Sequence, residues 1–396
     1  MEIWNEGKIK DFADVKGGKR LPKGKKLITE PNLHPYIRIK DLGKSKVLEL
    51  NSDYEYVDDE TQELIAKYIV ETGDILVSVV GTIGLIAIVG ESLDRANQTE
   101  NCDKIINIKG IDRDYLYYYL ISPAGQEEIR RRTVGAVQPK LPLKNVLDIT
   151  VKYPSIGTQQ KIVSILNSLD NKIVVNEQIN RNLSEQASAY YENWKMSLTG
   201  EAVELSKVID VRDGTHASPK PQDEGYPLVT SKHLFEYDVD LESPNKISQD
   251  DYDKTNERSK VEHHDVLMSM IGTVGVVSFI SRQEINFAIK NVALFRTSQR
   301  EELAYYVLLF LKSKDTKQYI KSCMAGSTQQ YISLTELRKI PIIVPGEEIK
   351  EFNLVIKPII DMICANVIEN RRLSELRDTL LPKLMSGELD VSDLDI

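Results

Sequence analysis

Residues 73–89, GDILVSVVGTIGLIAIV, recur as HDVLMSMIGTVGVVSFI at residues 264–280, a shift of 191 with the Gly-Thr-x-Gly turn in register. The shift persists along the chain. GAVQPKLPLKNVLDITVKYP (residues 135–154) lies over GSTQQYISLTELRKIPIIVP (residues 326–345), aligning Gly135 with Gly326, Gln138 with Gln329 and Pro154 with Pro345. Upstream, YIRIKDL (residues 36–42) lies over LVTSKHL (residues 228–234), and DVKGG after Asp14 echoes DVRDG after Asp210. A period near 190 residues is far beyond the roughly 20–50 residues of a solenoid unit. The chain is therefore two copies of one domain.

The repeated stretch is the most apolar in the chain, but it is too short for a membrane span, which needs about 20 apolar residues. It is not a phosphate loop either. A dinucleotide fingerprint requires a third glycine opening a helix, and a Walker loop must end in Gly-Lys-Ser/Thr. Gly43-Lys44-Ser45 does occur, but Arg38 stands where the earlier glycine belongs. Runs of Ile and Val on either side of a glycine turn predict two buried strands folded about residues 81–84.

Each copy ends in a helical pattern. Ile162, Leu166, Leu169, Ile173, Asn176, Asn180, Leu183, Ala187, Tyr190 and Trp194 alternate at steps of four and three, as do Phe352, Ile356, Ile359, Ile363, Asn366, Asn370, Leu373, Arg377, Leu380 and Leu384. Both are heptad seams with two central asparagines, a pairing that fixes register at some cost in stability. Such seams pack on each other. An antiparallel pair sets Asn176 against Asn370 and Asn180 against Asn366, although a parallel pair also matches Asn with Asn, and the seam alone does not choose. Pro358 predicts a kink or restart in the second helix, and Gly200 and Gly387 stand where left-handed caps are expected.

Composition narrows the class. With 41% apolar and 28% charged residues in 396 the chain is ordinary for a globular protein. Its start, MEIWNEGKIKDF, predicts no secretory signal. Cys102, Cys323 and Cys364 form neither a disulfide framework nor a zinc pattern; a cytoplasmic location without membrane attachment is expected. A net charge of −9 argues against coating nucleic acid by bulk electrostatics. One tract departs from this balance: VKGGKRLPKGKK, residues 15–26, holds six basic residues and no acid.

DVRDGTHASP (residues 210–219), GDILVSVVGTIG, GSTQQYISLTELRKIPIIVP and the closing NRRLSELRDTLLPKLMSGEL (residues 370–389), taken together and in duplicate order, resemble the specificity subunits of type I restriction-modification enzymes. The resemblance implies an α+β chain of two homologous mixed α/β target-recognition domains, residues 1–155 and 201–345. These would be joined by two long spacer helices, residues 156–200 and 346–390, forming an antiparallel coiled coil. Each domain would read one half of a bipartite double-stranded DNA target. The helices would set the spacing and dock two methyltransferase subunits, with restriction/translocase subunits completing the assembly. S-adenosylmethionine and ATP with Mg would serve those partners, and this chain would hold no cofactor, metal or catalytic residue. The DGTH element, however, is present only in the second copy. The reading from another class is a two-headed protein-interaction scaffold, which the acidic balance favours and the basic tract does not.

No Asn-Pro-Pro-Tyr motif of a base-flipping methyltransferase occurs. Glu348-Ile349-Lys350 matches part of a nuclease motif, but acids after Pro345-Gly346 suit the first turn of a helix. Adjacent His263 and His264 point to opposite faces of a strand, no Asp, Glu or Cys at ligand spacing completes a site, and they read as surface histidines. Tyr115, Tyr117, Tyr118 and Tyr119, matched by Tyr305 and Tyr306, read as helix packing, and Cys364 as core. DNA contacts are expected instead from Lys16, Lys19, Arg20, Lys23, Lys25 and Lys26 in the basic tract, and from Arg212, Thr215, His216 and Lys220 at the matching place in the second copy. Gln138 and Lys140, with Gln329, Gln330 and Tyr331, follow matched glycines. Glutamine reads adenine bidentately, and lysine or tyrosine binds phosphate. Lys40 and Lys232 sit at matched strand ends. A charge run is more often a solvated loop; the matched placement is what favours contact.

Overall fold

The repeated stretch folds as two antiparallel strands, Ile75–Ser78 and Ile86–Val89, with Ile75 opposite Ile88 and every residue buried. This computed structural model describes residues 3–326, 330–392 and 394. The turn between the strands uses Gly81 (φ 78°) and Gly84 (φ 86°), a conformation that costs glycine little. Ser78, the polar interruption in the run, closes the turn. Its hydroxyl donates to the Thr82 carbonyl at 2.6 Å and accepts from the Leu85 amide at 2.8 Å. The twin strands, Val266–Ser269 and Val277–Phe279, are closed identically by Ser269, which donates to Thr273 at 2.5 Å and accepts from Val276 at 2.8 Å.

Two units make up the chain: Met1–Lys172 with Arg372–Ile396, and Ile173–Arg371. The main sheet of the first runs in the order Asp14–Gly17, Cys102–Ile106, Ile75–Ser78, Ile86–Val89, Val47–Leu48, antiparallel except for the last pair. The second unit repeats four of the five places with Val211–Asp213, Val292–Phe295, Val266–Ser269 and Val277–Phe279. A three-stranded sheet accompanies each, Glu55–Tyr56, Pro35–Ile37, Asn97–Gln98 in one and Lys246–Ile247, Tyr226–Val229, Ala288–Ile289 in the other. The duplication extends to strand order.

The tyrosine clusters lie on packed helices, Arg113–Ile121 and Ala304–Lys312. Tyr115 and Tyr118 are completely buried, and each hydroxyl finds a partner, as burial requires. Tyr115 donates to the Lys152 carbonyl at 2.7 Å and Tyr118 to the Asp170 carboxylate at 2.6 Å. Tyr306 donates to the Ile343 carbonyl at 2.7 Å.

The long helices are Ile156–Trp194 and Ile349–Ser386. Within the second unit, Asn176 donates to Asn370 at 2.8 Å and Asn366 donates to Asn180 at 2.8 Å. A rising number on one helix meets a falling number on the other, so the pair is antiparallel. In the first unit, seam residue Arg377 reaches Asp170 at 2.9 Å. Two local expectations fail. The second helix does not restart at Pro358: the proline and Leu354, whose carbonyl loses its donor, both lie on the exposed side, where solvent can take the place of the missing donor. Gly200 (φ 129°) is not the cap of the first helix, which ends at Trp194 and passes into the turn Lys195–Ser197; Gly387 (φ 75°) does follow Ser386 directly.

Asn176 is wholly buried. Replacing Asn370 by leucine removes one of its two acceptors, the other being Glu369 at 2.7 Å. The expected cost is about 1–2 kcal/mol in urea unfolding, and most of it should return in the Asn176→Leu/Asn370→Leu double variant, because an apolar pair removes both asparagines and the half-buried Glu369 that loses its donor stays within reach of solvent. A double variant as unstable as the single would refute this account of the pair.

Candidate nucleic-acid interface

In the first unit Gly17 and Val77 lie opposite Asp103, and Ser78 lies opposite Cys102. Residues 18–34, the glycine turn and residues 99–101 therefore all leave one end of the sheet. A further loop joins them: Leu141 donates to the Val79 carbonyl at 2.9 Å and Lys140 bridges Val80, seating residues 134–141 beside the turn. The strand Pro35–Ile37 ends here too, where Thr99 donates to the Ile37 carbonyl at 3.1 Å.

The second unit gathers the same parts. Asp213 lies opposite Ala293 and Ser269 opposite Val292. Gly272 donates to the Gln330 carbonyl at 3.1 Å, and Ile332 donates to Met270 at 3.0 Å. The Gly-Thr-x-Gly turn and the loop that follows the matched glycine thus stand side by side in both copies. Gly18 and Gly214 make the exits possible. A Cβ on Gly18 would lie 2.0 Å from the Thr99 carbonyl oxygen, and one on Gly214 would lie 2.3 Å from that of Ile289.

The basic tract is less free than its sequence suggests. Arg20 pairs with Glu100 at 2.6 Å, and Lys25 with Asp58 at 3.3 Å and Glu60 at 2.6 Å. Burial pushes the Glu100 carboxyl up, but its hydrogen bonds, Arg20's foremost, outweigh this and hold it below the usual carboxylate range. Lys19 lies 5.5 Å from the Tyr68 ring. Lys16, on the strand itself, Lys23, Lys26 and Lys140 are exposed cations, and Gln138 is exposed beside them. Lys40 donates to the Asp53 carbonyl at 3.1 Å and approaches Glu55 at 3.7 Å.

At the second unit's rim, Arg212 is turned back onto Asp210 at 2.7 Å and the Arg258 carbonyl at 2.7 Å, so it braces the strand. His216 is exposed but anchored: Nε2 lies 2.9 Å from buried Asp213 and Nδ1 lies 2.7 Å from Asn291. Arg258 closes on the other oxygen of Asp213. The Thr215 hydroxyl accepts from the Ala217 amide at 3.1 Å. Lys220, Lys232, Gln330 and Tyr331 are exposed, and Gln329 lies outside the described residues.

Asn291, which holds His216 from a left-handed backbone (φ 53°), escaped the sequence reading. Its signal was present, since an asparagine precedes the second strand of the main sheet in both copies as Asn101 and Asn291. The paired histidines call for a correction. His263 and His264 lie in a turn, His264 with φ 68°, and their rings are 3.7 Å apart instead of on opposite faces. His264 stacks on Phe279 at 5.5 Å, a packing role. Among the described residues no cluster of His, Cys, Asp and Glu is arranged to hold a metal ion, and no helix is long and apolar enough to cross a membrane.

Two copies of one α/β domain each present their repeated loops at one end of a sheet. Residues 1–185 and 199–376 match the family model of the type I restriction modification DNA specificity domain, and the chain belongs to that family. It is 26% identical to the specificity subunit of type I restriction enzyme MjaIX of Methanocaldococcus jannaschii, over 99% of this chain and 94% of that protein. It is 25% identical to the HindI specificity subunit of Haemophilus influenzae, over 70% and 77%. Its fold resembles the crystal structure of a type I S subunit from M. genitalium, with a TM-score of 0.56, 18% identity, and 97% and 96% coverage.

Proposed function

We propose that the chain is the DNA-reading, non-catalytic subunit of a cytoplasmic type I restriction-modification enzyme. In this reading each unit takes one half of a bipartite target, and the antiparallel helices set the spacing and receive two methyltransferase subunits. S-adenosylmethionine chemistry and ATP/Mg-driven cleavage belong to the methyltransferase and restriction/translocase partners. The observation that carries the reading is the convergence of the same repeated loops at the same sheet end in both units, with exposed cations and exposed Gln, Thr, His and Tyr side chains on them. Cations fix a duplex by its phosphates, and polar side chains discriminate base edges.

Selection from a randomised duplex, with and without methyltransferase subunits, tests this. A bipartite consensus should be enriched with the partners, and binding by the chain alone should be weak because its net charge is −9. Absence of any enriched sequence would favour a protein scaffold. Removing one heptad from each long helix shortens the pair by about 10 Å, so the preferred gap between half-sites should contract by about three base pairs at about 3.4 Å each. An unchanged gap would show that the helices do not set it.

A further inference from the structure

We propose that the helix Lys314–Cys323 carries a row of lysines that grips the sugar-phosphate backbone beside the second unit's half-site. The proposal rests on the DNA-reading function above and extends its interface to an element outside the repeated loops. Lys314, Lys317 and Lys321 are spaced three and four apart, hence on one helical face. That face is turned about 110° around the helix from the one buried through Thr316 and Ile320. All three are exposed, and among the described residues no acid answers them. The helix's one acid, Asp315, is held by Lys195 at 2.6 Å.

The row reaches the rim. The helix runs into Ala325, whose amide donates to the Tyr331 carbonyl at 2.9 Å beside the glycine turn. The first unit's equivalent helix, Pro123–Arg132, places Gln126 where Lys317 stands after the 191-residue shift, and Gln126 donates to the Gly84 carbonyl at 3.0 Å. That contact covers the first turn: a Cβ on Gly84 would meet Gln126 at 2.8 Å. In the second unit a Cβ on Gly272 or Gly275 would meet nothing within 4 Å. Its turn is open, with Lys317 at the covering position.

The first helix also cancels its own charge. Arg131 pairs with Glu127 at 2.8 Å, Arg132 pairs with Glu128 at 2.6 Å and Arg130 closes on Glu127. Free charge therefore appears only on the second copy of this helix. From Lys314 to Lys321 the axis rises about 10 Å, the length of about three successive phosphates on one DNA strand. Lysine binds phosphate as a mobile point charge, so the contact is blind to sequence.

The full chain, its K314Q/K317Q/K321Q variant and the matching triple arginine variant would be titrated onto a fluorescent random-sequence duplex across a salt series. Each phosphate contact contributes about 0.9 to the slope of log affinity against log salt. The glutamine variant should lose about 2–3 from that slope and bind at least tenfold more weakly near 0.1 M salt, while the arginine variant keeps the slope. Wild-type slope and affinity in the glutamine variant would overturn the proposal and leave the DNA-reading function standing. A wild-type chain without salt-dependent duplex binding would overturn the lysine row alone, because the DNA-reading function expects only weak binding without the partner subunits. Because the three side chains are exposed, thermal unfolding should be unchanged; a lowered midpoint in the glutamine variant would instead make the row structural.

Discussion

Phe352→Ala is expected to destabilise the second unit by about 3–5 kcal/mol, the cost of removing a buried aromatic ring whose site does not collapse. Phe352 is fully buried near the start of the second long helix. Its ring lies 4.3 Å from Trp194 and 5.9 Å from Tyr190, both on the first long helix, and 6.3 Å from Tyr306 on the globular domain's helix. One side chain therefore ties three elements together. Against a typical domain stability of about 5–15 kcal/mol, the loss should be plain in chemical denaturation. Phe352→Leu should cost much less, since it keeps most of the volume. A loss below about 1 kcal/mol for the alanine variant would show that this aromatic cluster is not the joint described.

The second large effect is stabilising and depends on pH. Asp103 is 5% exposed at the loop-bearing end of the first sheet, and its Oδ2 has no hydrogen-bond partner. Burial pushes its pKa up to about 6 from an ordinary 3.8. Folding thus favours the protonated carboxyl. The group's contribution to stability is complete below the unfolded value near 3.8, falls as pH rises toward about 6, and stays at its low level above that. At pH 7.5 the Asp103→Asn variant should be more stable than the parent by about 1–3 kcal/mol, the upper figure corresponding to about two pKa units at 1.36 kcal/mol each. Near pH 3.5 the two should unfold together. A variant no more stable at neutral pH would mean that the carboxylate is solvated after all.

The duplication, the buried strand pair, the tyrosine helices and the two heptad seams were all written in spacing, which a single chain displays once compared with itself. Helix direction was not, because Asn176 and Asn180 match Asn370 and Asn366 equally well either way; only the hydrogen bonds choose. The basic tract misled in part, since the acids that answer it lie far along the chain: Glu100 is 80 residues from Arg20, and Asp58 is 33 from Lys25. Pro358 does not restart the helix, because a proline's cost depends on whether solvent reaches the carbonyl it strands. The histidine pair was misjudged because it was assigned to a strand when His264 is a left-handed turn residue. Where the repeated loops meet was not legible either. It depends on the register that brings residues 17, 77 and 103 level, which separate motifs do not reveal.

The two tips are built on one plan and finished differently. One carries a glycine-rich lysine loop, and the other a Thr-His element held by Asp213 and Asn291. A reader with identical tips would be indifferent to which way round a duplex lay. One with unlike tips gives its target a head and a tail, so the same letters inverted spell a different address.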